Sequence, residues 1–330
     1  VLVDGVRGLA TGSEVSQREE EEKEAIMSRF SKITISVGLL LVVHAGSSQA
    51  LDILLTNDDG YSAIGIQTLK AALQGAGHNV TMVAPFGERS GSSAAINLVP
   101  VSPVQVGAQD WALYALDELI TGDREPLPAT PATCVLFGLS VTLGGVAPDL
   151  VVSGTNVGAN VGTATPFSGT VGGTVAGLAA DVPSIAFSSD GPDVDESDPA
   201  FAAHFVNVAA FAVELIAQLE TKPGSLMMEP GLLPAGVALN VNYPTVAPED
   251  VQGDELTVQG QASSASLVFV PLGGDIYIPA VGPGDGGGGD VNRSDTVALE
   301  AGYITVTPIN SDMTASSSQA AKFNALINGL

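Results

Sequence analysis

The chain has one cysteine, Cys134, so no intrachain disulfide is available to it. That cysteine sits in the apolar stretch Thr133-Cys134-Val135-Leu136-Phe137-Gly138, which reads as a helix with a buried structural thiol rather than a nucleophile. Histidine is scarce as well. His44, His78 and His204 are scattered, which gives no His-rich metal site and no local Ser-His pair; His78 and His204 read as surface residues. Basic residues number 11 against 36 acidic ones, for a net charge of −25. After Ala50 they are only Lys70, Arg89, Arg124, Lys222, Arg293 and Lys322. Such a surface disfavours nucleic-acid polymers, which need basic patches to release counterions. It repels free nucleotides too, so a nucleotide site here needs a bound metal for local attraction. Acid richness with little lysine suits a salty exterior, where screening is strong. No Gly-x-Ser-x-Gly elbow and no Gly-Lys pair occur, which disfavours a serine hydrolase and a P-loop enzyme. The string Gly282-Pro283-Gly284-Asp285-Gly286-Gly287 matches GxGxxG only formally, since the strand–turn–helix context is missing.

What is present is concentrated in Leu51-Asp52-Ile53-Leu54-Leu55-Thr56-Asn57-Asp58-Asp59-Gly60. A mostly apolar run reads as a buried parallel strand. It ends in an amide, two adjacent carboxylates and a glycine, at the end of the strand where open α/β sheets place ligand sites. Asp-Asp-Gly is also a turn former. Two neighbouring acids repel unless something positive compensates them, and a hard divalent cation prefers oxygen ligands. Ala63 to Gly75 follows with Ile66, Leu69 and Leu73 on one helical face. Asn79-Val80-Thr81-Met82-Val83-Ala84-Pro85 is then a second strand, completing a βαβ unit.

Thr56-Asn57-Asp58-Asp59-Gly60, followed by Ala84-Pro85 and Arg89-Ser90-Gly91, resembles the survival-protein SurE family of metal-dependent nucleotide phosphatases. Pro148 to Gly158, with Ser153-Gly154-Thr155-Asn156, resembles the family's second site segment, and Phe167-Ser168-Gly169-Thr170-Val171 its third. Leu239-Asn240-Val241-Asn242-Tyr243-Pro244 and Gly302 to Pro308 resemble later core segments, so the likeness runs from about Leu51 to the C-terminus. It implies an α/β fold: a three-layer, Rossmann-like, doubly wound, mostly parallel sheet with a C-terminal β-hairpin and helix extension used for oligomer contacts.

The resemblance implies that Asp58, Asp59, Ser90 and Asn156 hold a metal, with Asp58 and Asp59 also catalytic. An all-oxygen set with two charges suits magnesium or manganese, with calcium also compatible. Ser168, Gly169 and Thr170 precede a helix whose first amides can hold a phosphate; a plain N-cap is the other reading. Arg89 is the basic residue nearest the motif serine and is expected to assist the phosphate. Asn57 and Asn160 are expected just behind the site. Where the family often has Asn, Asp and an acid, this chain has Ala94, Thr133 and Ala176.

Residues before Leu51 do not match that family. Met27 to Lys32 is basic, Ile33 to Val43 is apolar and short, and the segment ends Ser48-Gln49-Ala50, which is the pattern of a signal peptide cleaved after about Ala50. Residues 1–26 then form an upstream extension, with a solvated charge run from Arg18 to Glu24. The phosphatase domain is 51–330, with a site-bearing core at 51–189 and, at 190–330, the remaining core plus an oligomerisation extension ending in a helix from Gln319 to Leu330. The expectation is a periplasmic or secreted homodimer or homotetramer, free of membrane once processed, that hydrolyses nucleoside 5′- or 3′-monophosphates. A broad acid phosphatase or exopolyphosphatase is the alternative enzyme, and an exported metal-binding protein with little catalysis is the non-enzyme. Water and carboxylate nucleophiles both stay open.

Overall fold

The structure is a computed structural model that describes residues 50–116, 126–192, 194–221, 232–262, 265–274, 276–283 and 290–314. The segments read as leader and terminal helix lie outside them. The first strand is β1 (Asp52–Thr56), and α1 (Ile64–Gly75) returns the chain to β2 (Asn79–Pro85). An antiparallel edge follows, built from β3 (Val101–Gly107), β4 (Asp110–Ala115) and β5 (Leu127–Pro128). Next come α2 (Pro131–Phe137), β6 (Leu150–Val157), α3 (Gly169–Ala179), β7 (Ser184–Ser189), α4 (Pro199–Thr221) and β8 (Ala238–Tyr243). The last part holds β9 (Asp254–Leu256), a hairpin of β10 (Ala265–Gly273) and β11 (Ile276–Pro283), α5 (Asp295–Glu300) and β12 (Ile304–Ile309).

The main sheet runs β3-β4-β2-β1-β6-β7-β8-β12-β9, with β5 attached to β4. Six of these strands, from β4 to β8, are parallel neighbours. β12 runs antiparallel to β8 but parallel to β9. The chain leaves β1 toward β2 and later returns on the other side at β6. That reversal between β1 and β6 is the switch point at which doubly wound sheets open a crevice at the carboxyl ends of their strands.

β1 is apolar on both faces because both are covered. Ile53 and Leu55 pack with Ile66 and Leu69 of α1, Phe187, and Val208 and Ala212 of α4. Leu54 points the other way, toward Val83, Cys134, Val135, Val151 and Ala176 under α2 and α3. Successive strand residues alternate sides, so a strand between two helix layers needs an unbroken apolar run. Side-chain caps set the starts of α2, α3 and α5: Thr130 accepts from the Thr133 amide, Ser168 from Val171 and Ser294 from Val297. Cys134 is fully buried, and burial pushes its thiol far up, as befits a structural residue.

Candidate functional site

The two acids after β1 arrive together at the switch point. Asp58 is 2 % exposed and Asp59 is half-buried. Asn57 closes the turn by donating its Nδ2 to the Gly60 carbonyl at 2.9 Å. The Asp58 carbonyl accepts from the Arg89 amide at 2.7 Å, which ties the Arg89-Ser90 loop after β2 to the acid turn. Asp59 Oδ2 accepts from the Val157 amide at 3.2 Å, which ties the turn to the end of β6. Three segments that are far apart in sequence thus meet at one sheet edge.

Each expected residue has a definite place. Asn156 lies on β6 itself rather than in the loop after it. It is 6 % exposed and donates Nδ2 to the Gly158 carbonyl at 2.6 Å, while its Oδ1 is buried without a partner. Ser90 is exposed, and its amide donates to Glu88 Oε1 at 2.6 Å. Ser168 is the N-cap of α3, with Gly169 and Thr170 its first two residues rather than a segment ahead of it. The hydroxyl of Thr170, on the segment expected to hold a phosphate, donates to Asp58 Oδ1 at 2.5 Å. A hydroxyl carries one proton, so this one is committed to the carboxylate. Asn160 does sit behind the site: its Nδ2 donates to Thr170 Oγ1 at 3.5 Å and to Ser188 Oγ at 2.9 Å.

The electrostatics are those of anions held together at a cost. Burial raises Asp58 to about 6 against the hydrogen bond from Thr170, and the Glu88 charge adds to the rise. Burial again, then the Asp58 charge, takes Asp59 to about 8. Among the described residues no lysine pairs with them. Among the described residues the ion pairs are Lys70–Asp110 and Arg293–Glu255, and Arg89 joins neither; its Nε is buried without a hydrogen-bond partner.

These donors fit a hard divalent cation. Asp58 Oδ2, Asp59 Oδ1, and the unpartnered carbonyls of Asn156 and Asn57 offer oxygen only, which is the chemistry of magnesium, manganese or calcium rather than of softer metals. Among the described residues no cluster of three or more His, Cys, Asp or Glu side chains forms a metal group. The set here has two carboxylates beside neutral amide oxygens.

Several partners were not legible in the sequence. Asn242 Oδ1 accepts from the Asn160 amide at 2.7 Å, and Asn240 Nδ2 donates to the Asn160 carbonyl at 2.7 Å. Their signal was available: two amides at period two within the apolar strand β8 share one face and must find partners. The histidines correct another expectation. His78 and His204 are buried, at 6 % and 8 % exposure. His78 Nδ1 accepts from the Leu51 amide at 3.2 Å, and His204 Nε2 lies 2.6 Å from Ser189 Oγ. A turn or helix position gives no hint of such partners, because they come from other strands.

The family model described as Survival protein SurE matches residues 53–266. A protein of Actinobacillus pleuropneumoniae serotype 5b named 5′-nucleotidase SurE is 36 % identical over 270 residues, covering 80 % of this chain and 96 % of that one. The 5′/3′-nucleotidase SurE of Yersinia enterocolitica is 34 % identical over 272 residues, covering 82 % and 95 % respectively. Among solved structures, the SurE protein from Aquifex aeolicus superposes with a TM-score of 0.64 at 29 % identity, covering 84 % of this chain and 99 % of that one.

Proposed function

The chain belongs to the survival protein SurE family, and from that premise we propose that it is a divalent-metal-dependent phosphomonoesterase that hydrolyses nucleoside monophosphates to nucleoside and phosphate. One observation carries the reading. Two adjacent carboxylates, the buried Asp58 and the half-buried Asp59, stand at the end of β1, Asp59 is tied to β6 next to Asn156 with its unpartnered carbonyl, and neither acid forms an ion pair among the described residues. Such a set is stable in its charged form only around a cation.

Asp58 Oδ2, Asp59, Asn156 Oδ1 and the Ser90 hydroxyl are the residues assigned to hold it. When bound, a divalent cation supplies positive charge for the phosphoryl oxygens and eases ionisation of an attacking water. The protein's own groups do the rest. Thr170 fixes the Asp58 rotamer by holding Oδ1. Asp59 Oδ2 is tied to the Val157 amide, which leaves Oδ1 to orient the water and take its proton. Arg89, in no ion pair among the described residues, draws the ester into a site that otherwise repels it. The first turn of α3 faces the same space, where its amides and the helix dipole favour an anion.

The exposed hairpin β10–β11 supports assembly into a homodimer or homotetramer, because a two-stranded sheet with apolar side chains in water is a poor unit on its own. The basic, apolar and small-residue sequence from Met27 to Ala50 supports export.

The test is to assay the full chain against 5′- and 3′-nucleoside monophosphates, an aryl phosphate and polyphosphate, with and without chelator. Phosphate release from the nucleotides that stops with chelator and returns with manganese is expected. Equal release with and without metal overturns the metal reading, and preference for polyphosphate or the aryl ester overturns the nucleotidase reading.

A further inference from the structure

Ser92 has no role in the assignments above, yet its hydroxyl is buried beside Asp58 without a hydrogen-bond partner. A β-carbon placed on Gly169, at the start of α3, would lie 2.7 Å from Ser92 Oγ and 2.8 Å from Asp58 Oδ2. The two oxygens therefore crowd the same face of the helix start. Asp58 Oδ1 is taken by Thr170, while Oδ2 has no bond to Ser92. Ser92 Oγ is itself buried with no hydrogen-bond partner, a condition that native proteins avoid unless a ligand or water completes it.

The inward aim of this hydroxyl is enforced by its neighbour. Ser93 takes a φ of 51°, a left-handed conformation uncommon outside glycine. Its amide donates to the Phe167 carbonyl at 3.1 Å and its Oγ to the Pro166 carbonyl at 2.7 Å. Its own carbonyl sits 1.8 Å from where Gly172 would carry a β-carbon, so only a glycine in α3 lets the loop dock this closely. Ser93 is pinned to the loop ahead of α3 and to the helix itself. Ser92 is thereby turned toward the acids instead of toward water.

Resting on the phosphomonoesterase reading, we propose that the Ser92 hydroxyl donates a hydrogen bond to the phosphoryl group of the bound ester and to the phosphate product. Ser92 lies against the first turn of an eleven-residue helix, where amide dipoles favour anions. A neutral donor there adds to anion binding without adding the charge that would hold product too tightly.

Ser92→Ala tests this in the full chain. Isothermal titration with inorganic phosphate, at saturating manganese, is expected to show binding about tenfold to a hundredfold weaker than in the parent. Manganese affinity and melting temperature stay at the parent values, and KM for 5′-AMP rises. Ser92→Thr keeps the hydroxyl and is expected to keep phosphate binding near the parent. Unchanged phosphate binding in Ser92→Ala overturns the proposal, as does a loss of manganese affinity, which would make Ser92 a metal ligand. A fall in melting temperature with phosphate affinity intact would make it a packing residue and overturn it equally. A parent that binds no phosphate removes the phosphomonoesterase reading itself, which separates that failure from the failure of Ser92 alone.

Discussion

Thr170 Oγ1 donates to Asp58 Oδ1 at 2.5 Å, and that single contact decides which oxygen of the buried acid is free. Behind it, Asn160 Nδ2 donates to the same hydroxyl and Asn242 Oδ1 holds the Asn160 amide. A line of polar contacts thus runs from β8 to the acid after β1. Thr170→Val keeps the shape of the side chain and removes the donor. A hydrogen bond to a charged group contributes about 1.5–3 kcal/mol, so turnover is expected to fall about tenfold to a hundredfold. Manganese titration is expected to show weaker binding, and Thr170→Ser to recover most of both. Parent-level turnover in Thr170→Val would mean that Asp58 needs no positioning.

Asp59→Asn separates the role of the acid from its cost. The parent buries two adjacent carboxylates, and both burial and mutual repulsion disfavour their charged forms. In chelator near neutral pH, the amide is therefore expected to melt higher than the parent, by at least about 2–4 °C for a domain of this size. With manganese the order reverses, because only the parent gains stability by binding. Hydrolysis of 5′-AMP is abolished in the variant. A lower melting temperature in chelator would show that the Asp59 carboxylate stabilises the fold even without metal.

The parts of the fold fixed by short-range pattern were legible beforehand. The run Ile53-Leu54-Leu55 declared a strand covered on both faces, and Ile66, Leu69 and Leu73 a helix with one buried stripe. The acid pair announced itself because it interrupts that strand at its carboxyl end. What escaped notice depends on contacts between segments far apart in the chain. Thr170 meets Asp58 across 112 residues, so nothing near either position distinguishes a donor to the acid from a donor to an anion. Ser92 lies among serines, and only the pinning of Ser93 on α3 turns it inward. The edge strand β3 left no comparable pattern, because it is largely exposed.

His204 gives the fold an acid-sensitive point. Its Nε2 contacts Ser189 Oγ at 2.6 Å, and Ser189 donates onward to the Tyr243 carbonyl, so the imidazole acts as the donor in a chain that works with the neutral ring. Burial holds its pKa below the ordinary 6.5, with Asp190 pulling the other way. A histidine lowered on folding binds fewer protons in the native state than in the unfolded one. Its contribution is whole above pH 6.5 and is lost as the pH falls through the lowered folded value. His78, also lowered by burial, acts in the same direction. His204→Gln keeps an amide donor toward Ser189 and cannot be protonated. Urea midpoints measured from about pH 7.5 to about pH 5 are expected to fall less steeply in the variant than in the parent. Identical slopes would mean that His204 keeps its unfolded-state pKa.

The hairpin is the most direct test of assembly. Among the described residues β10 and β11 pair only with each other. Their register puts Val268, Val270 and Ile278 on one face and Phe269 and Tyr277 on the other, and all five stand in water. Phe269 is 65 % exposed and Tyr277 60 %. Covering one such ring is worth about 1.5–3 kcal/mol. In a two-fold interface each substitution counts twice, so Phe269→Asp is expected to weaken association by at least about a hundredfold. Light scattering after size exclusion at micromolar protein is expected to give a dimer or tetramer for the parent and a smaller species for the variant. The fold of the main sheet, which the hairpin does not join, is expected to keep its melting temperature apart from what assembly itself adds. A monomeric parent, or a variant of unchanged mass, would show that neither face of this ribbon is an interface between copies of the chain.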